Sequence, residues 1–86
     1  MIIRRTAKFK KQYQKLQPKM QQKFDERLLI FLADETDRSL RIHPLRAQYA
    51  GYWSVDVTGD LRALFRRSGD EIIIFGFIGT HSQLYG

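Results

Sequence analysis

Hydrophobic positions change their period twice along this chain. Residues 2–5 set Ile2-Ile3 before Arg4-Arg5 as a short strand, and Thr6 is placed to cap a helix beginning directly after it. Phe9, Tyr13 and Leu16 then recur at i, i+4 and i+7, the stripe of an amphipathic helix with lysines on its other sides. Gln17-Pro18 interrupts it, and because proline is tolerated in a first helical turn, a second helix is predicted to begin there. Met20, Phe24, Leu28, Phe31 and Leu32 form its apolar face, so the two segments make a helical hairpin of unequal arms. Aromatics at helical spacing belong to a core before they belong to a base-stacking platform.

Residues 35–50 show no clean period, and Pro44 biases His43 towards extended backbone. From Gly51 the period becomes two. Trp53, Val55 and Val57 share one face of a strand, with Tyr52, Ser54 and Asp56 on the other. Thr58-Gly59-Asp60 is the turn, and Leu61 to Arg66 is the return strand, placing Asp60, Arg62 and Leu64 on a face open to solvent or ligand. Ser68-Gly69-Asp70 turns the chain again, and Glu71 to Ile78 is nearly all apolar, as expected of a central strand covered on both sides. The expected fold is α+β, an N-terminal strand and helical hairpin packed on an antiparallel meander, in one domain spanning residues 1–86 without repeat or linker.

A chain of 86 residues has a thin core, burying about 60–65% of its unfolded surface. It has no cysteine, which removes disulfides and thiolates. Lysine and arginine outnumber aspartate and glutamate 15 to 9, a net charge of +6. The excess is concentrated, since Arg4, Arg5, Lys8, Lys10, Lys11, Lys15, Lys19 and Lys23 all precede the first acid, Asp25. Such a block attracts phosphate backbones, although a solvated helical face or an acidic protein partner accounts for it equally well. With no apolar run of bilayer length and no secretory leader, the chain reads as soluble and cytoplasmic, with no membrane partner.

The polar residues that interrupt the pattern are His43, Arg46, Asp56, Asp60, Arg62, His81 and Tyr85. They suffice for metal-free RNA cleavage, in which the substrate's 2′-hydroxyl attacks the adjacent phosphate. His81 with His43 or Asp60 could move the protons. Arg62 and Arg46 could hold phosphoryl oxygens, and Tyr85 could stack on a base. Taken singly, each residue also has a plain structural use: His81 on the surface, His43 ending a connector, Asp60 capping a turn, Arg62 paired with Asp60 or Asp56, Tyr85 as a terminal plug. No zinc-ligand spacing, phosphate-binding loop, dinucleotide fingerprint or serine nucleophile motif is present.

In element order and in motifs the chain resembles the RelE/ParE superfamily of type II toxins, and within it the YafQ branch. The motifs are His43-Pro44-Leu45, Gly51-Tyr52, Gly59-Asp60-Leu61-Arg62, Gly79-Thr80-His81 and Leu84-Tyr85-Gly86, and the resemblance covers nearly the whole length. It implies a microbial RNase fold and ribosome-dependent cleavage of mRNA without a metal or other cofactor. His81 is then the main catalytic histidine, supported by His43, Asp60 and Tyr85, with Arg62 near the scissile phosphate. The basic hairpin, through Lys10, Lys11 and Lys15, and Arg46 would contact RNA. The resemblance also implies a cognate antitoxin that blocks activity and, as a complex, binds operator DNA. Two positions depart from the branch: Asp56 stands where it carries a histidine, and Leu61 where it carries tryptophan. A ParE-like toxin that inhibits gyrase without nuclease chemistry, and a degenerate antitoxin-binding module, are the alternatives.

Overall fold

The computed structural model describes residues 1–86. Strand β1 (Ile2–Arg5) leads into helix α1 (Ala7–Gln14) and the longer α2 (Pro18–Ala33). Two 3-10 turns, Arg38–Leu40 and Ala47–Tyr49, flank the short strand β2 (His43–Pro44). Strands β3 (Trp53–Asp56), β4 (Leu61–Ser68) and β5 (Ile72–Thr80) come next, and a final helix α3 (His81–Tyr85) closes the chain.

The expected meander is present as β3-β4-β5, and it is extended at both edges to the order β1-β5-β4-β3-β2. β1 runs parallel to β5, from Ile2 opposite Ile72 to Arg5 opposite Phe75, so the sheet is mixed. At the other edge β2 sets His43 opposite Ser54. A strand of two residues has too few positions to show a period, which is why this segment looks featureless in sequence.

Capping and proline decide where the helices start. Thr6 Oγ1 accepts from the Phe9 N–H at 3.1 Å and donates to the Gly76 carbonyl at 3.2 Å, so one hydroxyl caps α1 and anchors it to β5. Pro18 occupies the first turn of α2, where its missing N–H costs nothing. The Tyr13 hydroxyl donates to both Asp25 oxygens, at 2.9 and 3.1 Å, which ties the two helices together. Burial, then the Asp25 hydrogen bond and charge, push that phenol up, so it remains a donor at neutral pH.

The hairpin packs on one face of the sheet around phenylalanine. Phe75 on β5 lies 5.7 Å from Phe9, 5.4 Å from Phe24, 6.2 Å from Phe31 and 5.6 Å from Phe65, between ring centres. Leu32, expected on this face, is instead 46% exposed. It sits on the rim of a groove shared with Ile3, Arg4, Arg5, Lys10 and Leu28, because α1 is too short to cover the far end of α2.

The opposite face carries a second apolar layer that corrects another expectation. Leu64, placed by alternation on an open polar face, is fully buried. It pairs with Phe77, whose ring packs on Tyr49 at 5.2 Å and Tyr52 at 5.5 Å. The register slips here: Leu64 faces Phe77 but Phe65 faces Phe75, leaving Gly76 as the extra residue of a bulge. A Cβ on Gly76 would meet Tyr52 Cε2 at 3.0 Å and its hydroxyl oxygen at 3.2 Å. Gly76→Ala should therefore cost about 1–3 kcal/mol by overpacking. Thermal denaturation checks this, and an unchanged midpoint would mean that the Tyr52 ring is free to withdraw.

Candidate active site

The pleat of β3 builds the site. Ser54 and Asp56 are two apart and so project from the same face. Their cross-strand partners, His43 on β2 and Arg62 on β4, share that face. With Arg41, His81 and Tyr85 they line one cleft of about 320 Å³. Ser54 forms its buried floor, and none of the phenylalanine core reaches it.

Three groups carry the charge. Asp56 Oδ1 faces Arg62 Nε at 3.0 Å, and Oδ2 faces Arg41 Nε at 3.3 Å, so each carboxylate oxygen is paired with one arginine. The rest of the Arg62 guanidinium closes the β3–β4 turn. Its Nη1 donates to the Thr58 carbonyl at 2.9 Å and to that of Leu61 at 3.3 Å, and its Nη2 to the Gly59 carbonyl at 3.0 Å. The plain sequence reading of Arg62 as a partner of Asp56 is therefore present in the structure.

His43 is oriented by backbone. Its Nδ1 lies 2.9 Å from the Arg41 carbonyl, which can only accept, so Nδ1 carries a proton and the neutral ring keeps its lone pair on Nε2. Arg41 itself has φ 50° and ψ 44°, a left-handed conformation uncommon away from glycine.

His81 opens α3, and Tyr85 lies one turn later on the same side of it. Their rings sit 4.8 Å apart at 32°. Several contacts hold this short helix in place. Thr80 and Gln83 form a reciprocal capping box, with Gln83 N–H to Thr80 Oγ1 at 3.2 Å and Thr80 N–H to Gln83 Oε1 at 2.8 Å. Leu84 is buried, and the Tyr49 hydroxyl donates to its carbonyl at 2.6 Å. Gly79 leaves room for α3 to fold back, since a Cβ there would meet Gln83 Oε1 at 3.1 Å. Burial, reinforced by the neighbouring Tyr85, raises the Tyr49 phenol above its ordinary value of 10.0. A raised folded value means that this contribution to stability is complete below the ordinary tyrosine range and is lost only as pH climbs through the folded value. Docking of α3 should thus be insensitive to pH around neutrality.

Of the residues nominated from sequence, His43, Arg62, His81 and Tyr85 come together in the cleft. Asp60 does not line it. It is exposed in the β3–β4 turn, where its N–H donates to Thr58 Oγ1 at 3.3 Å. Arg46 precedes the second 3-10 turn and is likewise outside the lining. Lys10, Lys11 and Lys15 lie exposed on or just after α1, away from the cleft. Leu61, at one of the two departures from the YafQ pattern, is buried in the core. Asp56, at the other, lies at the centre of the cleft. Arg41 and Ser54 are additions that the structure makes to the site. The alternation of β3 could have found Ser54, but nothing in the sequence marks Arg41.

The sequence profile for "Bacterial toxin of type II toxin-antitoxin system, YafQ" matches residues 1–86. Comparison with curated protein sequences gives no significant match. Among solved structures, YafQ from E. coli strain BL21(DE3) superimposes with a TM-score of 0.80 at 24% identity, covering 98% of this chain and 97% of that one. The toxin in the E. coli DinJ–YafQ toxin–antitoxin complex gives 0.77 at 24% identity over 98% and 96%. The RelB–RelE antitoxin–toxin complex from Methanococcus jannaschii contains a chain with a TM-score of 0.75 at 16% identity over 95% and 94%. At these identities the structural likeness concerns the fold.

Proposed function

The chain belongs to the YafQ family of bacterial toxins from type II toxin–antitoxin systems, and from that premise we propose that it is a metal-independent endoribonuclease acting on mRNA in the ribosome. The observation that carries this reading is the gathering of His43, on edge strand β2, and His81, just after β5, into one cleft with two arginines. A phosphodiester and two proton carriers are what transesterification of RNA requires.

In the proposed reaction the 2′-hydroxyl oxygen attacks phosphorus while its proton passes to Nε2 of His43. The tether from Nδ1 to the Arg41 carbonyl keeps that lone pair available. Negative charge accumulates on the non-bridging oxygens beside the arginines. The bond from phosphorus to the 5′-oxygen then breaks, and protonated His81 supplies the proton to the leaving oxygen. The products are a 2′,3′-cyclic phosphate and a 5′-hydroxyl. Tyr85, packed against His81, supports the ring and offers a surface for a base. Asp60, in the exposed turn, would act from outside the cleft as a contact to RNA or ribosome.

The fold's recurrence in the DinJ–YafQ and RelB–RelE complexes supports a cognate antitoxin as the protein that silences this activity, with operator DNA bound only through that complex. The ribosome would meet the basic hairpin. Reversing Lys10, Lys11 and Lys15 to glutamate is expected to weaken ribosome association and flatten its dependence on salt, because fewer counterions are released per binding event. Sedimentation with ribosomes at several salt concentrations measures both, and an unchanged slope removes the hairpin from the interface.

The reading is tested by inducing the chain and mapping mRNA 5′ ends by primer extension. New ends at in-frame codon positions support it. Growth arrest without new ends points to a gyrase target of the ParE kind, and neither arrest nor cleavage points to a module that only binds its antitoxin.

A further inference from the structure

The two arginines in the cleft are not equivalent. Arg62 directs Nη1 and Nη2 to three turn carbonyls and Nε to Asp56, and its side chain is only 26% exposed. A guanidinium committed in this way has no fork left to offer a phosphate. Arg41 is the reverse case. Its Nε faces Asp56, its side chain is 77% exposed, and neither terminal nitrogen makes a hydrogen bond within the chain. Those terminal nitrogens form the planar edge that binds two phosphoryl oxygens at once.

The charge balance agrees. Asp56 at the cleft's centre neutralises Arg62, its direct cross-strand neighbour, which leaves Arg41 as the net positive charge while the histidines are neutral. Each oxygen of Asp56 faces an arginine. Its geometry suits a group that holds cations in place.

Backbone geometry adds a third point. The left-handed turn at Arg41 sends its carbonyl to His43 Nδ1 while its side chain crosses to Asp56. One residue therefore orients the imidazole and presents a cation beside it. A phosphate seated on Arg41 would share the cleft with His43, the ring that must take the 2′-hydroxyl proton.

We infer that Arg41, rather than Arg62, grips the phosphodiester of single-stranded RNA in this cleft, and that Asp56 is the positioning residue holding Arg41 over it. The identity of the ligand rests on the nuclease reading above. Arg62 then serves to brace the turn and to fix Asp56.

The test uses the full chain and a short single-stranded oligoribonucleotide with 2′-O-methyl sugars, which has no free nucleophile and cannot be cleaved. In Arg41→Gly, glycine adopts the left-handed backbone without strain, so the carbonyl tether to His43 is kept while the cation is deleted. The 15N shifts of His43 report whether its tautomer is retained. For the wild type, titration should perturb the ring resonances of both His43 and His81. Arg41→Gly should bind about tenfold more weakly, with the slope of log K against log salt reduced by about 0.7, the amount for one phosphate contact on a single strand. Arg41→Lys should recover the slope but only part of the affinity, since an ammonium is a point charge without a fork. In the mRNA cleavage assay Arg41→Gly should lower kcat about 100-fold with a smaller change in KM. Asp56→Asn, which frees Arg41 without removing it, should also act on kcat more than on KM.

Wild-type affinity and slope in Arg41→Gly would overturn the assignment, as would a wild-type chain that does not bind the probe. Probe binding that depends on Arg41, in a chain that cuts no mRNA, would sink the nuclease reading and leave the Arg41 assignment standing. Undiminished mRNA cleavage by Arg41→Gly would do the opposite.

Discussion

His81→Ala is expected to abolish mRNA cleavage, with a loss of about 10²–10⁴-fold in rate, while leaving the protein folded. The size reflects its proposed task. Without a proton donor the 5′-oxygen must leave as an alkoxide, and neither Asp56 nor His43 is free to replace it. Asp56 is ion-paired through both oxygens, and His43 is committed to the other proton. The fold should survive because the His81 side chain is exposed and α3 is held by other residues, Leu84 in the core and the Thr80–Gln83 box at its start. The check is single-turnover cleavage of mRNA on ribosomes, with circular dichroism and antitoxin binding as controls. Residual cleavage near the wild-type rate would place the acid elsewhere. Loss of antitoxin binding along with cleavage would mean that the substitution had unseated α3.

Phe75→Ala should have the largest effect on stability, about 3–5 kcal/mol, because its ring is the hub of the core. Phe9, Phe24, Phe31 and Phe65 all pack on it, so this one ring joins both helices to the sheet. A domain of this length has on the order of 4–13 kcal/mol in total, so the variant should stand at the edge of unfolding. Chemical denaturation should show a large fall in midpoint with little change in slope, and Phe75→Leu should recover a good part of it. Added antitoxin should raise the variant's midpoint by mass action, as a partner that binds only the folded chain must. A loss below about 1 kcal/mol would show that the neighbouring rings collapse into the space, contrary to the packing described.

Both expectations depend on features that differ in how far the sequence reveals them. The phenylalanine hub is visible beforehand in outline: Phe9, Phe24 and Phe31 fall on helical stripes, and Phe75 lies in an apolar strand. The terminal Gly79-Thr80-His81 motif also stands out, as does the family resemblance it carries, which the match over residues 1–86 confirms. Asp60 shows the limit. Its place in the turn is readable, but alternation cannot say whether a turn leans over the cleft or away from it. Arg41 shows the same limit more sharply. It looks like one more basic residue in a featureless stretch, and its importance rests on a left-handed backbone and on a carboxylate fifteen positions later in the chain.

What the sequence determined by itself is local. Periodicity, caps and turn residues act over a few positions, and they specify the helical hairpin, the β3-β4-β5 meander, the Thr6 cap and the candidate histidines. Tertiary structure decided what depends on pairing between distant segments. It made β1 parallel to β5, set the bulge at Gly76 that seats Tyr52, and placed His43 opposite Ser54 on an edge strand of two residues. It also divided the arginines, engaging Arg62 and leaving Arg41 open. Such assignments turn on which donor reaches which acceptor at about 3 Å, and a difference of that size arises only once the whole chain has packed.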